Sequence, residues 1–396
     1  MTRLGSAPVR FASSSGFASA LGLAALLALL PASPARAQGV TLPPSGDNQK
    51  AVVTQYMGPA SVTVEYHSPD VHAPDGSDRH GKIWGGLVHY GYSEENFGTC
   101  GKKCPWRGGA NENTTVTFSH PVTVEGKALA AGTYGLHFLA GEKEWTVIFS
   151  KVATAWGSYF YDESNDALRV NVKSAANPYH EWLTYDFEDR QPASTVLALE
   201  WEDLKVPIAI ALPNENEIYY QTLKRELESS PGFDYHGWQQ AADFLADKKV
   251  HLDDAEKWAQ TAVSAPFIGE ENFQTLQSLS NVQRARGKTA EADATMAKAI
   301  AHPSASATDI YQYARPMIRD GKPKEALAVF QAASKRMPNK WPLDLGIARS
   351  YSAMGDYKSA LKYAKQSLLV APDGPNKDNV QRMIAKLEKG EDMNKQ

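Results

Sequence analysis

Two stretches, GKPKEALAVFQAASKRMPNK at 321–340 and GDYKSALKYAKQSLLVAPDG at 355–374, superpose without a gap. Working outward, Gly287, Gly321 and Gly355 stand 34 apart, and so do Ala292, Ala326 and Ala360, and Ser304, Pro338 and Pro372. A 34-residue period with a turn glycine, a small residue where two helices touch and a closing Pro predicts stacked helix pairs. A less regular unit, LDDAEKWAQTAVSAP, fits the second helix of the same repeat a few residues out of phase. The repeats therefore cover about 238–374, with a capping helix over 376–389 and a helical linker at 213–237. Within the linker, Tyr219, Leu223 and Leu227 have helical spacing and are expected to dock the helical half on what precedes it.

Upstream the period is two. Val62, Val64 and Tyr66, then Tyr134, Leu136 and Phe138, then Trp145, Val147 and Phe149, then Leu197, Leu199 and Trp201 alternate with polar or small residues between turn signals. About nine such runs, with no long amphipathic helix among them, predict an antiparallel β-sandwich or jelly-roll-like domain over 38–212. The fold class is thus a β domain followed by an α-helical solenoid, 238–396.

The first 37 residues read as an address. Arg3 and Arg10 precede the apolar run GFASALGLAALLALL, which is followed by Pro31, Pro34 and the tripeptide Ala35, Arg36, Ala37. That order is a signal peptide cleaved after Ala37, and 15 apolar residues are too few for a permanent span. The expected compartment is the periplasm or the outside medium, with no membrane span after cleavage. The whole chain has 41 basic and 45 acidic residues. Residues 38–212 hold 13 basic against 21 acidic, net −8, and 213–396 hold 25 against 24, net +1. Such a balance excludes an ordinary nucleic-acid-binding protein.

The helical half resembles tetratricopeptide repeats. GKIWGGLVHYG at 81–91, WRGGANENTTVTF at 106–118, VEGKALAAGTYGLHF at 124–138, EWTVIFS at 144–150 and EWLTYDFEDR at 181–190 resemble the bacterial domain-of-unknown-function 2911 family. That resemblance covers about 45–212 and assigns no chemistry. The insert 92–105, which separates LVHYG from WRGGANE, distinguishes this chain from shorter members.

Three constellations stand out. Cys100 and Cys104, in CGKKC, are expected to form a local disulfide in an exported chain. The Gly108-Gly109 turn in WRGGANEN can aim neighbouring side chains at one spot. A pocket for a small polar ligand or glycan is expected there, with Lys82, Arg107, Asn111 and Glu112 as polar members and Trp84 or Trp106 as apolar wall. His137, on the opposite parity to Leu136 and Phe138, is either a further member or solvent-facing. The alternative reading of Arg107 and Glu112 is an internal ion pair. In the solenoid, Asn281, Arg315 and Arg349 fall at the ninth position of successive first helices. With Gln277, Arg284, Tyr311 and Arg319 they predict a groove of donors for the carboxylates of a protein or peptide partner.

No GxSxG, GxGxxG, GxxxxGK[ST] or EF-hand pattern occurs. Seven of ten histidines lie in the β half, but HSPDVHAPDGSDRH at 67–80 has no fixed ligand spacing, so neither a metal nor a cofactor is expected. Most tryptophans of the β half are expected in its core. The resulting expectation is an exported, non-catalytic binding and interaction protein. The competing one is a periplasmic hydrolase built around Arg107, Asn111 and Glu112.

Overall fold

The computed structural model describes residues 48–73 and 75–395. The expected signal peptide lies outside the described residues. Among the described residues from Gln49 to Ala211 the chain forms ten strands, all neighbouring pairs antiparallel. They are β1 (Gln49–Met57), β2 (Ala60–Ser68), β3 (Thr115–Phe118), β4 (Val122–Val124), β5 (Lys127–Leu129), β6 (Gly132–Leu139), β7 (Glu144–Ser150), β8 (Asp166–Lys173), β9 (Ala175–Gln191) and β10 (Ser194–Ala211). One sheet runs β1-β2-β3-β6-β7-β8 and the other β5-β4-β10-β9. Their facing sides share one apolar core, including Val62, Val64, Phe118, Leu136, Phe149, Leu183, Leu199 and Ile208. The alternation in β2 is the sequence period made physical: every second residue from Ala60 to Tyr66 is buried.

On β6 and β7 that alternation fails, because both faces are covered. The insert 92–105 is closed by the Cys100–Cys104 disulfide. Its two cysteines and Tyr92 pack with Ile148, Leu139 and Tyr161, on the side of the sheet that parity would leave wet.

Ten helices follow: α1 (Glu215–Glu226), α2 (Tyr235–Lys248), α3 (Leu252–Ser264), α4 (Phe273–Ala285), α5 (Thr289–Ala301), α6 (Ala307–Arg319), α7 (Pro323–Arg336), α8 (Trp341–Ala353), α9 (Tyr357–Val370) and α10 (Pro375–Glu388). The starts of α4, α6, α8 and α10 are 34 residues apart, as are those of α5, α7 and α9. The turn glycines Gly287, Gly321 and Gly355 all have φ near +80°, a left-handed angle that glycine reaches without a side-chain clash. Ala292, Ala326 and Ala360 are fully buried, which lets paired helices approach closely. Helix starts are fixed locally by capping boxes, Asn272 with Thr275 and Ser306 with Asp309.

Helix α1 bridges the two halves. Its Ile218 packs against the β core, its Tyr219 lies against Gly58 in the β1–β2 turn, and its Tyr220 and Leu227 belong to the first helical core.

Candidate functional site

Four of the seven side chains expected in the solenoid groove meet there. Tyr311, Arg315 and Arg319 on α6, with Arg349 on α8, line one cavity of about 780 Å³. Pro316 sits within α6 without ending it, the helix continuing to Arg319. Arg319 pairs with Asp320 at 3.2 Å. Arg315 and Arg349 have no carboxylate partner among the described residues. Two unpaired guanidiniums in a concave surface attract anions and hold carboxylates through two parallel N–H donors.

The other three members lie elsewhere. Arg284 donates to Asp293 of α5 at 2.8 Å, so an intra-repeat ion pair absorbs its charge. Gln277 is half-buried on α4 and Asn281 is exposed; neither lines the cavity. In their place the groove continues toward the chain end. Arg382 and Lys386 of α10, with Arg315 and Arg349, line an adjoining cavity of about 450 Å³. Periodicity hid these two, because the ninth position of α10 is Met383, which receives Arg349 Nη2 at 3.6 Å. The segment following α10 also enters, Asp392 and Asn394 lining the first cavity. Burial would raise the Asp392 carboxyl, but hydrogen bonds from the Asn394 backbone, Ser352 and the Asn394 side chain outweigh it and hold the pKa below the usual carboxylate range.

In the β half, Trp106, Arg107 and Asn111 line a smaller cleft of about 330 Å³ with Arg79, Leu87 and Trp201. The Gly108-Gly109 turn is dictated by packing. A Cβ on Gly108, at φ +67°, would lie 2.6 Å from the Phe138 ring and 2.7 Å from the Tyr185 hydroxyl. That hydroxyl donates to the Gly108 carbonyl at 2.8 Å. Arg107 donates to the Asn111 carbonyl at 2.7 Å and lies over the Tyr159 ring, 5.1 Å from its centroid. Arg79 is already paired with Asp70, leaving Arg107 as the cleft's cation without a carboxylate among the described residues.

Four expected members do not line the cleft. Lys82 reaches the Asp78 carbonyl at 3.2 Å. Glu112 turns to His67 at 3.2 Å rather than to Arg107, so the alternative internal ion pair does not form. Trp84 packs beneath the cleft with Trp106, Trp145 and Trp201, ring centroids 5.3 to 6.4 Å apart. Trp84, Trp106, Trp145 and Trp201 thus belong to or pack on the core, as expected for most tryptophans of this half, whereas Trp156 and Trp182 are about half exposed, at 52% and 43%.

His137 is neither a cleft member nor wet. It is 3% exposed, with Nδ1 2.8 Å from Ser158 Oγ and Nε2 3.4 Å from Asn113 Nδ2. Burial, helped by the Arg107 charge, pushes its pKa down to about 3. Ser158 and the Tyr161 ring, 5.2 Å from the imidazole, come from a loop distant in sequence and close over this side chain.

The loop histidines 72 and 80 face carboxylates. His72 Nδ1 is 2.9 Å from Glu181, and His80 is within 3.8 Å of Glu202 and Asp203. No group of three His, Cys, Asp or Glu placed to hold a metal occurs among the described residues. None of the described helices is long and apolar enough to cross a membrane.

Sheet order, helix spacing and groove together define the class: an antiparallel β domain followed by tetratricopeptide-like repeats. Residues 48–210 match the family model described as protein of unknown function DUF2911, and residues 317–387 match the tetratricopeptide repeat model. Tetratricopeptide repeats commonly mediate protein partner binding. No curated protein matches the chain. Among solved structures it is similar to a tetratricopeptide repeat protein from Parabacteroides merdae, with 19% identity and a TM-score of 0.29, over 39% of this chain and 60% of that one.

Proposed function

We propose that the chain is an exported interaction protein whose helical groove holds an acidic segment of a protein partner. The observation that carries the reading is the convergence of Tyr311, Arg315, Arg319 and Arg349 on one cavity, with two of the arginines unpaired. Export is inferred from the order of basic, apolar and small residues in 1–37, and a Cys100–Cys104 disulfide fits an oxidising compartment. The β domain, in this reading, presents the Trp106, Arg107 and Asn111 cleft to a small polar ligand or glycan. The hydrolytic alternative has one observation in its favour, the contact of His137 with Ser158. A base held down near pKa 3 and buried beneath the surface is poorly matched to proton abstraction at neutral pH, so binding is the better reading.

The test is fluorescence anisotropy with a labelled octaglutamate peptide. Arg315→Glu with Arg349→Glu in the intact chain is expected to weaken binding at least about tenfold, and rising salt to weaken the unmutated complex. Equal binding by both proteins would refute the reading.

A further inference from the structure

One stretch of the groove is already filled by the chain itself. After α10 the segment Glu391 to Lys395 turns back across α8. Asp392 accepts the Ser352 hydroxyl at 2.7 Å, and the Met393 backbone N–H donates to that same hydroxyl oxygen at 3.0 Å. Asn394 is read from both sides: its carbonyl oxygen accepts from Arg349 Nη1 at 3.0 Å, and its amide donates to the Arg349 backbone carbonyl at 2.9 Å. Between them Met393 is 3% exposed, in the cluster of Leu345, Ala348, Ile384 and Leu387. Lys386 Nζ donates to the Lys395 carbonyl at 2.5 Å.

Carboxylate, apolar side chain and amide are thus recognised in sequence by a hydroxyl, a socket and a guanidinium. This is the logic of peptide recognition by a repeat groove, performed in cis. A plain hydrophobic cap would need Met393 alone; here Arg349 and Ser352 of α8 and Lys386 of α10 add polar contacts, and Asp392 also accepts from the Asn394 backbone and side-chain N–H groups. Asn394 borders both cavities, and both also contain the unpaired Arg315. The segment therefore leaves cations unneutralised that a more acidic peptide could engage.

We infer that the groove selects a peptide of the order acidic, unbranched apolar, amide, held in a turn, of which Asp392-Met393-Asn394 is the resident copy with Lys395 N–H donating to the Asp392 carbonyl at 3.2 Å, and that a partner enters by displacing this segment. The inference rests on the acidic-peptide reading of the same groove. It adds which residues the partner carries and what competes with it. Displacement follows from mass action, because an intramolecular occupant lowers the apparent affinity of any rival by the fraction of time it stays bound.

The test uses a labelled peptide KGEDMNKQ, the sequence of residues 389–396, against the intact chain and the full-length variant Asp392→Ala with Asn394→Ala. That variant lacks the side-chain contacts to Ser352 and Arg349 that hold the segment in place, so its Met393 leaves the socket more readily and the peptide's Met can take it. The peptide is expected to bind the variant at least tenfold more tightly than the intact chain, and a peptide with Met replaced by Asp is expected not to bind. A second protein ending at Lys389, checked for an unchanged melting profile of its repeats, is expected to behave like the variant. Equal binding of KGEDMNKQ to all proteins, or binding to none, would overturn the inference. Octaglutamate separates it from the parent reading. If octaglutamate binds the intact chain and KGEDMNKQ binds no protein, only the selectivity and displacement claim falls; if neither peptide binds any protein, both fall.

Discussion

His137 is uncharged at neutral pH because of where it sits: burial and the Arg107 charge hold its pKa near 3. An unfolded histidine titrates near 6.5, so as pH falls below that value the unfolded state binds a proton that the folded state refuses. Stability is then lost on acidification from about pH 6.5 toward 3. Between pH 7 and pH 5 the expected loss is about 2 kcal/mol from this group. Urea unfolding at the two pH values checks it, and His137→Gln should flatten that slope even if it lowers stability at both. A slope unchanged by the substitution would contradict the assignment. His137 was half legible in the sequence. Its parity set it apart from Leu136 and Phe138, but only the tertiary packing of Ser158 and Tyr161 decides that it is dry. Glu112 shows the same limit. Its closeness to Arg107 in the chain says little once His67, on β2, offers a partner.

Among elements, the repeats were the most legible because their period is set by backbone geometry and small contact residues. Both are local properties. Gly346 in α8 is a glycine that propensity alone would replace, since Ala is better in a helix interior by about 1 kcal/mol. A Cβ there would lie 2.5 to 2.6 Å from atoms of the buried Phe330 ring on α7. Overpacking of this kind typically costs about 1–3 kcal/mol, so Gly346→Ala is expected to lower the melting temperature rather than raise it. A rise would mean that α7 and α8 have room between them. Gly108→Ala in the β domain faces both a positive φ and two aromatic neighbours; it is expected to lower stability by roughly 2 kcal/mol or more, read by urea unfolding. The arginine ladder was legible only in its middle. Arg315 and Arg349 follow the 34-residue rule, whereas Arg284 is drawn off by Asp293, a residue that the rule does not consider. Arg382 and Lys386 lie beside the periodic position, which Met383 occupies.

At the scale of the molecule, the β half is acidic, net −8 over 38–212, and the helical half nearly neutral, net +1 over 213–396. In the helical half, Arg315, Arg349, Arg382 and Lys386 line two adjoining cavities beside the segment Glu391 to Lys395. Helix α1 ties the halves through Ile218 on the β core, Tyr219 at Gly58 and Tyr220 in the first helical core. The Cys100–Cys104 bridge acts only locally. It spans four positions in sequence, and Cys100→Ser with Cys104→Ser is expected to loosen the insert while leaving the melting of the repeats unchanged, as checked by amide exchange region by region. The central claim, that the groove formed by α6, α8 and α10 is the partner site, is tested most directly by amide hydrogen exchange of the intact chain with and without saturating octaglutamate. Added protection in α6 and α8, with altered exchange in the segment after α10, is the predicted result. Protection confined to the β domain, or spread evenly along the chain, would contradict it.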